Sequence, residues 1–355
     1  MAESSLFVIG GVDTHARTHH AAVIDSAGRI LGSKQFEASI AGYVQLLTWL
    51  RSHGELAQVG VEGTGSYGAG LCRYLLGQDV AVIEVNRPDR KMRRSRGKSD
   101  PLDAESAARS VLAGTATALP KDRSGVVESI RALRVVRSGA VKARTAAVNA
   151  LKTTVVAAPA GLRKSLTGLP YSALLETCAA LRPDLSRLAA PAQGTKAALR
   201  SLARRIVELE AEIRSLDASL TPLVRQAAPA TVALAGIGID HAGQLLASAG
   251  QNPERLHSET AFARLCGAAP IPASSGRTQR HRLNRGGDRQ ANRALHMAVI
   301  VRMRLCPRTR AYVERRSAEG LSKPEIMRCL KRYLAREVYH SIVADMIALG
   351  GLDGI

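Results

Sequence analysis

The sequence predicts an α/β domain at the N-terminus followed by a largely all-α remainder. Three observations lead there. Over the first 120 residues, short apolar runs bounded by turn residues alternate with stretches of helical spacing. Beyond them strand-like runs disappear, and apolar residues recur in steps of three and four. The length, 355 residues, leaves room for two or three domains at roughly 100–200 residues each.

The elements follow in order. Residues 6–12 (LFVIGGV) are a short apolar run ending in Asp13. Residues 20–25 and 29–36 read as two strands around the turn Asp25-Ser26-Ala27-Gly28. Residues 40–52 carry helical spacing through Val44, Leu47 and Leu50. A fourth strand, 57–61 (AQVGV), ends at Glu62. A helix around 67–77 and a buried strand at 80–85 come next, then a helix that starts at Ser99-Asp100-Pro101. Proline suits the first helical position, and Ser99 or Asp100 can cap it. Three strands, helix, strand, helix, strand, helix is the order of ribonuclease-H-like folds. Sugar kinases and actin-like ATPases share that order, so it does not define function.

The remainder is helical. Residues 128–156 form a long, basic, Ala-rich helix, and 159–196 contain short helices broken by Pro and Gly. Leu199, Leu202, Ile206, Leu209, Ile213, Leu216, Leu220 and Leu223 form an a/d heptad stripe, which fits a coiled coil, a helical hairpin or a helix packed on its own domain. Gly236-Ile237-Gly238 joins two apolar helical stretches. It reads either as a helix-hairpin-helix that holds a phosphate on its turn amides or as a tight turn between core helices. Residues 270–290 are a polar loop rich in Gly and Arg. The last helix opens on the capping box Ser322-Lys-Pro-Glu325, with Ile326, Leu330, Tyr333, Leu334, Val338 and Ile342 as its apolar face.

Composition narrows the partners. The net charge is +20, which favours a polyanion such as nucleic acid. Residues 87–98 carry seven basic groups and one acid, and between Arg277 and Arg336 there are 17 Lys or Arg against four acids. Aromatic residues make up only 3%, too few for a base-stacking platform or an aromatic membrane anchor. No run approaches 18 uncharged apolar residues, and the start has no basic n-region, so neither a membrane span nor a signal peptide is expected. Five widely spaced cysteines without a C-x-x-C pair fit a reducing cytoplasm, with no zinc or disulfide framework.

Four acids stand where a metal site can be built. Asp13 ends the first strand and Glu62 the fourth, while Asp100 and Asp103 share one face of a helix start. Grouped carboxylates repel unless a cation neutralises them, and an all-oxygen set suits Mg²⁺ or Mn²⁺. The bland alternatives are an N-cap for Asp100, a dipole partner for Asp103 and loop acids for Asp13 and Glu62. Gly11-Val12-Asp13-Thr14 and Glu62-Gly63-Thr64-Gly65 also read as phosphate loops of a sugar kinase or actin-like ATPase. That fold repeats its core, and no second strand-rich half follows residue 120. In the Arg-rich loop, Ser274 and Ser275 precede Gly276. A serine hydroxyl needs a base or metal to activate it, and no Ser-His-Asp order is visible.

Several segments together resemble a known family. They are GVDTH (11–15), VEGTGSYG (61–68), VNRPDRKMRRSRGKSDPLDAESAA (85–108), LAGIGIDHAGQLLASAG (234–250) and GAAPIPASSGRTQRHRLNRGGDRQANRAL (267–295). In order and spacing they resemble the insertion-sequence transposases with a DEDD tetrad, the bridge-RNA-guided serine recombinases. The resemblance implies a RuvC-like (RNase H-like) domain at 1–156, a helical linker and coiled coil at 157–228, and a C-terminal transposase domain with a Ser-Gly loop at 229–355. Asp13, Glu62, Asp100 and Asp103 match the tetrad and are expected to bind Mg²⁺, with Mn²⁺ as a substitute. Ser275 matches the nucleophile that forms a covalent 5′-phosphoserine link to DNA. Ser274 stays as the other choice, because this loop reads Ser-Ser-Gly-Arg where relatives often have a second Gly, and because Gly287 and Asn292-Arg293 are separated where the pattern commonly runs Gly-Asn-Arg.

Further expectations follow from that resemblance and the basic residues together. The partners are donor and target DNA, a noncoding guide RNA from the element, and further copies of the chain in a dimer or tetramer. The carboxylates and the serine are expected to meet as a composite site between protomers. The basic residues expected to hold nucleic acid are Arg90, Lys91, Arg93, Arg94, Lys98, Arg277, Arg280, Arg282, Arg285, Arg289 and Arg293. The chain is expected in the bacterial cytoplasm, on the nucleoid, and needs no nucleotide cofactor. The main rival is a RuvC-like, metal-dependent junction nuclease with water as nucleophile. A non-catalytic nucleic-acid binder and the kinase-like ATPase are the others.

Overall fold

The structure is a computed structural model, and it describes residues 7–85, 99–123, 125–276 and 281–352. The basic residues Arg90, Lys91, Arg93, Arg94, Lys98, Arg277 and Arg280 lie outside the described residues. The chain divides into two compact units. The first joins Met1–Gly125, Ser248–Arg289 and Arg332–Ile355, and the second joins Val126–Ala247 and Gln290–Lys331.

The first unit is built on a five-stranded mixed sheet. Its strands are β1 (Phe7–Thr14), β2 (Thr18–Asp25), β3 (Ile30–Glu37), β4 (Glu55–Glu62) and β5 (Val82–Val85), in the order β3-β2-β1-β4-β5. β1 pairs antiparallel with β2 and parallel with β4, and β4 pairs parallel with β5. Helix α1 (Ile40–Arg51) links β3 to β4, α2 (Ala69–Leu76) links β4 to β5, and α3 (Asp100–Leu112) follows. Element order and strand pairing are compatible with an RNase H-like domain, as the sequence predicts.

Strand alternation divides the core between two faces. Val8 and Val12 of β1 and Val59 and Val61 of β4 pack with Leu46, Leu47 and Leu50 of α1 and Leu71 and Leu75 of α2. Ile9, Ile24, Ile83 and Val85 point the other way, onto Ala107, Ala108 and Val111 of α3. The helical stripe of α1 differs from the predicted one. Tyr43, Leu46, Leu47 and Leu50 fill the buried face at i, i+3, i+4 and i+7, and Val44, one position round from Tyr43, is exposed. Tyr43 stacks on the fully buried His19 of β2, with ring centroids 5.6 Å apart.

The second unit is helical. Helix α4 (Gly125–Val156) is followed by α5 (Ala160–Leu166), α6 (Tyr171–Ala180) and the 37-residue α7 (Pro191–Ala227). From Val126 on, α4 runs antiparallel to α7, since Arg137 pairs with Asp217 and Arg144 with Glu210. Leu199 and Ile206 of the heptad stripe are buried against Leu151 and Val155 of α4 and Leu175 of α6. Leu209, Ile213 and Leu216 are only half-buried.

Short α8 (Pro229–Val232) and α9 (Ile239–Ala249) flank the Gly236-Ile237-Gly238 turn, so the first of the two predicted stretches is a single helical turn. Ile237 is buried, and the Arg302 guanidinium donates to the Ala235 carbonyl. Helices α10 (Glu259–Leu265), α11 (Arg289–Leu305), α12 (Pro307–Ala318) and α13 (Lys323–Leu352) complete the chain. The capping box of α13 forms, with Ser322 N–H and hydroxyl both donating to the Glu325 carboxylate. Ile326, Leu330, Leu334, Val338 and Ile342 are buried as expected. Tyr333 is 54% exposed and does not belong to the face, because it sits beside the ladder of four-residue steps those residues form. No described helix is long and apolar enough to cross a membrane.

Candidate metal centre and serine loop

The site grows out of how closely α3 lies on the sheet. A Cβ on Gly11 of β1 would stand 2.1 Å from the Ala104 carbonyl oxygen, and one on Gly60 of β4 would stand 2.7 Å from Val111. Glycine at both strand positions, with alanines on the helix, lets the helix seat directly on the strands. Two residues further along each strand the side chain returns to the same face. Those residues are Asp13 and Glu62. Val12 pairs with Val61, so the two acids stand next to each other at adjacent strand ends. The Thr14 hydroxyl donates to the Glu62 carbonyl oxygen at 2.7 Å and ties those ends together.

The start of α3 brings the other two acids to these strand ends. Ser99 takes the N-cap conformation without a side-chain cap bond, Asp100 opens the helix, and Asp103 follows in the first turn. Asp103 is buried and Asp100 exposed. Asp13 is 8% exposed. Burial pushes its carboxyl above the ordinary range, His15 opposes that, and the negative charges of Asp103 and Asp100 push it further up. Asp13 thus feels two of the other three predicted acids electrostatically.

His15 is the residue that sequence reasoning missed. Its Nε2 lies 3.1 Å from Asp13 Oδ2 and 3.4 Å from Asp100 Oδ1. Ligand atoms of Asp13, His15 and Asp100 all fall within 4.8 Å of one another, a grouping able to hold a metal ion. Glu62 and Asp103 share the face but are not part of that tight group. The signal was present in GVDTH, where His15 stands two residues after the strand-end acid.

The serine loop belongs to the same compact unit as the sheet. Strands β6 (Ile271–Pro272) and β7 (His281–Arg282) form a two-residue ladder, and the predicted Ser274 and Ser275 lie in the connection between them. Ser275 is exposed, and no hydrogen bond or ion pair among the described residues joins it to the carboxylates. Arg282, Arg285, Arg289 and Arg293 are all exposed. At the base of the loop, the Ser248 hydroxyl donates to Asp288 at 2.6 Å.

A polar anchor holds the segment before the loop against the edge of the sheet. Arg255 donates to the carbonyls of Leu119 and Ala249 at 3.0 and 2.9 Å and pairs with Glu84 of β5 at 3.4 Å. The side-chain amide of Asn252 accepts from Asp122 N–H and donates to the Pro120 carbonyl. Glu84 also accepts from the Thr64 hydroxyl at 2.9 Å, two residues beyond Glu62. Nearby, burial and the Arg255 charge push the Lys121 ammonium down to about 8, against the pull of Asp288 and Glu84. Sequence reasoning missed this anchor as well. Its one visible trace is an acid, Glu84, inside the apolar run 80–85.

Residues 10–158 match a transposase model of the DEDD, IS110 type, and residues 232–314 match the model described as the transposase IS116/IS110/IS902 family. The chain belongs to this family of insertion-sequence transposases. It is 29% identical over 134 residues to the insertion element IS900 uncharacterized 42 kDa protein of Mycobacterium paratuberculosis, a match covering 37% of this chain and 34% of that protein. It is 30% identical over 139 residues to the insertion element IS110 uncharacterized 43.6 kDa protein of Streptomyces coelicolor, covering 37% of this chain and 33% of that protein. The matches thus span about a third of the length of these curated relatives.

Proposed function

We propose that the protein cuts and rejoins DNA as the transposase of an insertion sequence, through a covalent 5′-phosphoserine intermediate on Ser275. The observation that carries this reading is the gathering of strand-end and helix-start acids at the C-terminal ends of β1 and β4, in a chain of this family. The donor chemistry fits a divalent cation. Asp13 and Asp100 offer hard oxygen ligands within reach of each other, and Glu62 and Asp103 stand on the same face. Bound there, Mg²⁺ would offset the charge that develops on an attacked phosphate and on the leaving oxygen.

The residues of the chain supply the rest. Ser275 Oγ gives up its proton and bonds to phosphorus, while the bond from phosphorus to the 3′-oxygen breaks and that oxygen leaves protonated. Its exposure lets a DNA strand reach it. Attack by another 3′-hydroxyl reverses the step and releases the serine. The phosphoester bond is conserved throughout, so no ATP is required. Exposed Arg282, Arg285, Arg289 and Arg293 hold phosphates.

The basic residues belong to no recognisable base-reading module, which supports leaving the choice of donor and target sequence to pairing with a guide RNA. The half-buried Leu209, Ile213 and Leu216 of α7 support a coiled-coil contact between copies in a dimer or tetramer. The partition into catalytic, coiled-coil and transposase domains at 1–156, 157–228 and 229–355 belongs to the same proposal.

The rival reading is a nuclease that uses the same acids with water as nucleophile. A single experiment separates the two. The protein is expressed with its element's flanking DNA, mixed with donor and target DNA and Mg²⁺, and run on a denaturing gel beside Ser275→Ala. The expected outcome is a protein–DNA adduct that the substitution abolishes. Cleavage without an adduct would establish the water mechanism, and an adduct surviving in Ser275→Ala would move the nucleophile to Ser274.

A further inference from the structure

We infer that His15 is a nitrogen ligand of the cation at this site, which makes it a mixed nitrogen–oxygen centre that prefers Mn²⁺ to Mg²⁺. The inference rests on the metal-site reading above and extends it beyond the four acids. Geometry is the first support. In an octahedral site with bonds of about 2.1 Å, neighbouring ligand atoms lie √2 times that apart, about 3.0 Å. His15 Nε2 lies 3.1 Å from Asp13 Oδ2 and 3.4 Å from Asp100 Oδ1, close to two edges of such an octahedron.

The second support is positional. β1 ends at Thr14, one residue past Asp13, and the chain turns there, with His15 N–H donating to the Thr18 carbonyl. That turn directs the imidazole back across the strand end to α3, where it meets Asp100. The side chains of His15 and Asp100 are 46% and 52% exposed, and that of Asp13 is 11% exposed. One ligand is thus anchored in the core, and the two others leave an open side for water or a phosphate oxygen. Of the two other histidines near these acids, His19 is fully buried and stacked on Tyr43, and His20 directs its Nε2 to the Ser33 hydroxyl at 2.7 Å; neither is in the group.

Preference follows from ligand type. Carboxylate and water ligands alone suit Mg²⁺. An imidazole nitrogen adds affinity for transition ions and little for Mg²⁺, whose site favours oxygen and retained water.

The test uses the full chain and a readout that does not depend on recombination. Mn²⁺ is bound to the wild type and to His15→Asn, Asp13→Asn and His20→Asn, and electron spin-echo modulation is recorded for ¹⁴N coupling. Calorimetry gives Mn²⁺ and Mg²⁺ affinities for each, and circular dichroism checks folding. The expected result is ¹⁴N modulation in the wild type and His20→Asn, lost in His15→Asn. Mn²⁺ affinity of His15→Asn should fall at least tenfold and Mg²⁺ affinity less than threefold. Mn²⁺ bound in an Asp13-dependent way without ¹⁴N modulation would overturn the inference and leave the metal site standing. Equal weakening of both ions in His15→Asn would overturn it too. Absence of Mn²⁺ binding, or binding indifferent to Asp13→Asn, would overturn both.

Discussion

A methyl group at position 11 would stand 2.1 Å from the Ala104 carbonyl oxygen and 2.4 Å from the Ala108 nitrogen, so the place of α3 depends on one missing side chain. Asp100 and Asp103 ride on that helix, and its close seat is what brings them to Asp13. His19 shows a different single-residue effect. It is fully buried, its Nε2 has no hydrogen-bond partner among the described residues, and burial pushes its pKa below 6.5. Neighbouring charges act on it in opposite directions: His15 lowers it further, while the Thr18 carbonyl and Asp13 raise it. The unfolded chain therefore takes up a proton more readily than the fold does. Stability conferred by the neutral imidazole is present above pH 6.5 and is lost as pH falls through 6.5 toward the lower folded value. The unfolding free energy from urea titrations should drop between pH 7.5 and 5.5, by no more than about 1.4 kcal/mol per pH unit for one group. His19→Phe, which keeps a ring against Tyr43, should flatten that decline. An unchanged profile would mean that His19 does not titrate in this range.

Among elements, the decisive contact lies between β5 and the segment leading to the serine loop. Arg255 makes two bonds to carbonyls and one ion pair to Glu84, with its side chain only 12% exposed. Hydrogen bonds from a charged donor contribute about 1.5–3 kcal/mol each, and the buried acceptors left behind add to the loss. Arg255→Ala should therefore lower stability by about 3 kcal/mol in urea unfolding. Hydrogen exchange should rise most at residues 118–122 and 248–265, and less in β1 and α1. A uniform rise over the whole chain would show that the anchor is not a local fastening. The long helices illustrate a related point. The heptad stripe on α7 is a strong signal in the sequence, yet its first part is taken up by α4 and α6 of the same chain. A helix period tells which face is apolar and leaves the choice of partner open.

For the whole molecule, charge is the property that matters most. With a net charge of +20 and exposed Arg282, Arg285, Arg289 and Arg293, long-range attraction to a polyanion does not depend on detailed geometry. Removing one cation that neutralises a duplex phosphate should reduce the slope of log affinity against log salt by about 0.9. Replacing all four arginines with alanine should therefore lower the slope by about 3–4 units if each sits on one phosphate. Fluorescence anisotropy across a salt series would measure it, and an unchanged slope would remove these residues from the DNA interface.

Local patterning in the chain determined the element order of the sheet domain, the helical remainder and the charge, and it put four acids near strand ends and a helix start. Alternation of period two and helical spacing are properties of neighbouring residues, so they can be read without a fold. The same patterning misplaced Val44 and Tyr333, because a stripe several residues wide has edges that only packing draws. Tertiary structure alone decided that His15 reaches Asp100, and that Arg255 joins Glu84 across 171 positions of sequence. Those encounters depend on strand register and on how near a helix can approach the sheet. Both are set by long-range packing that no short window of sequence contains.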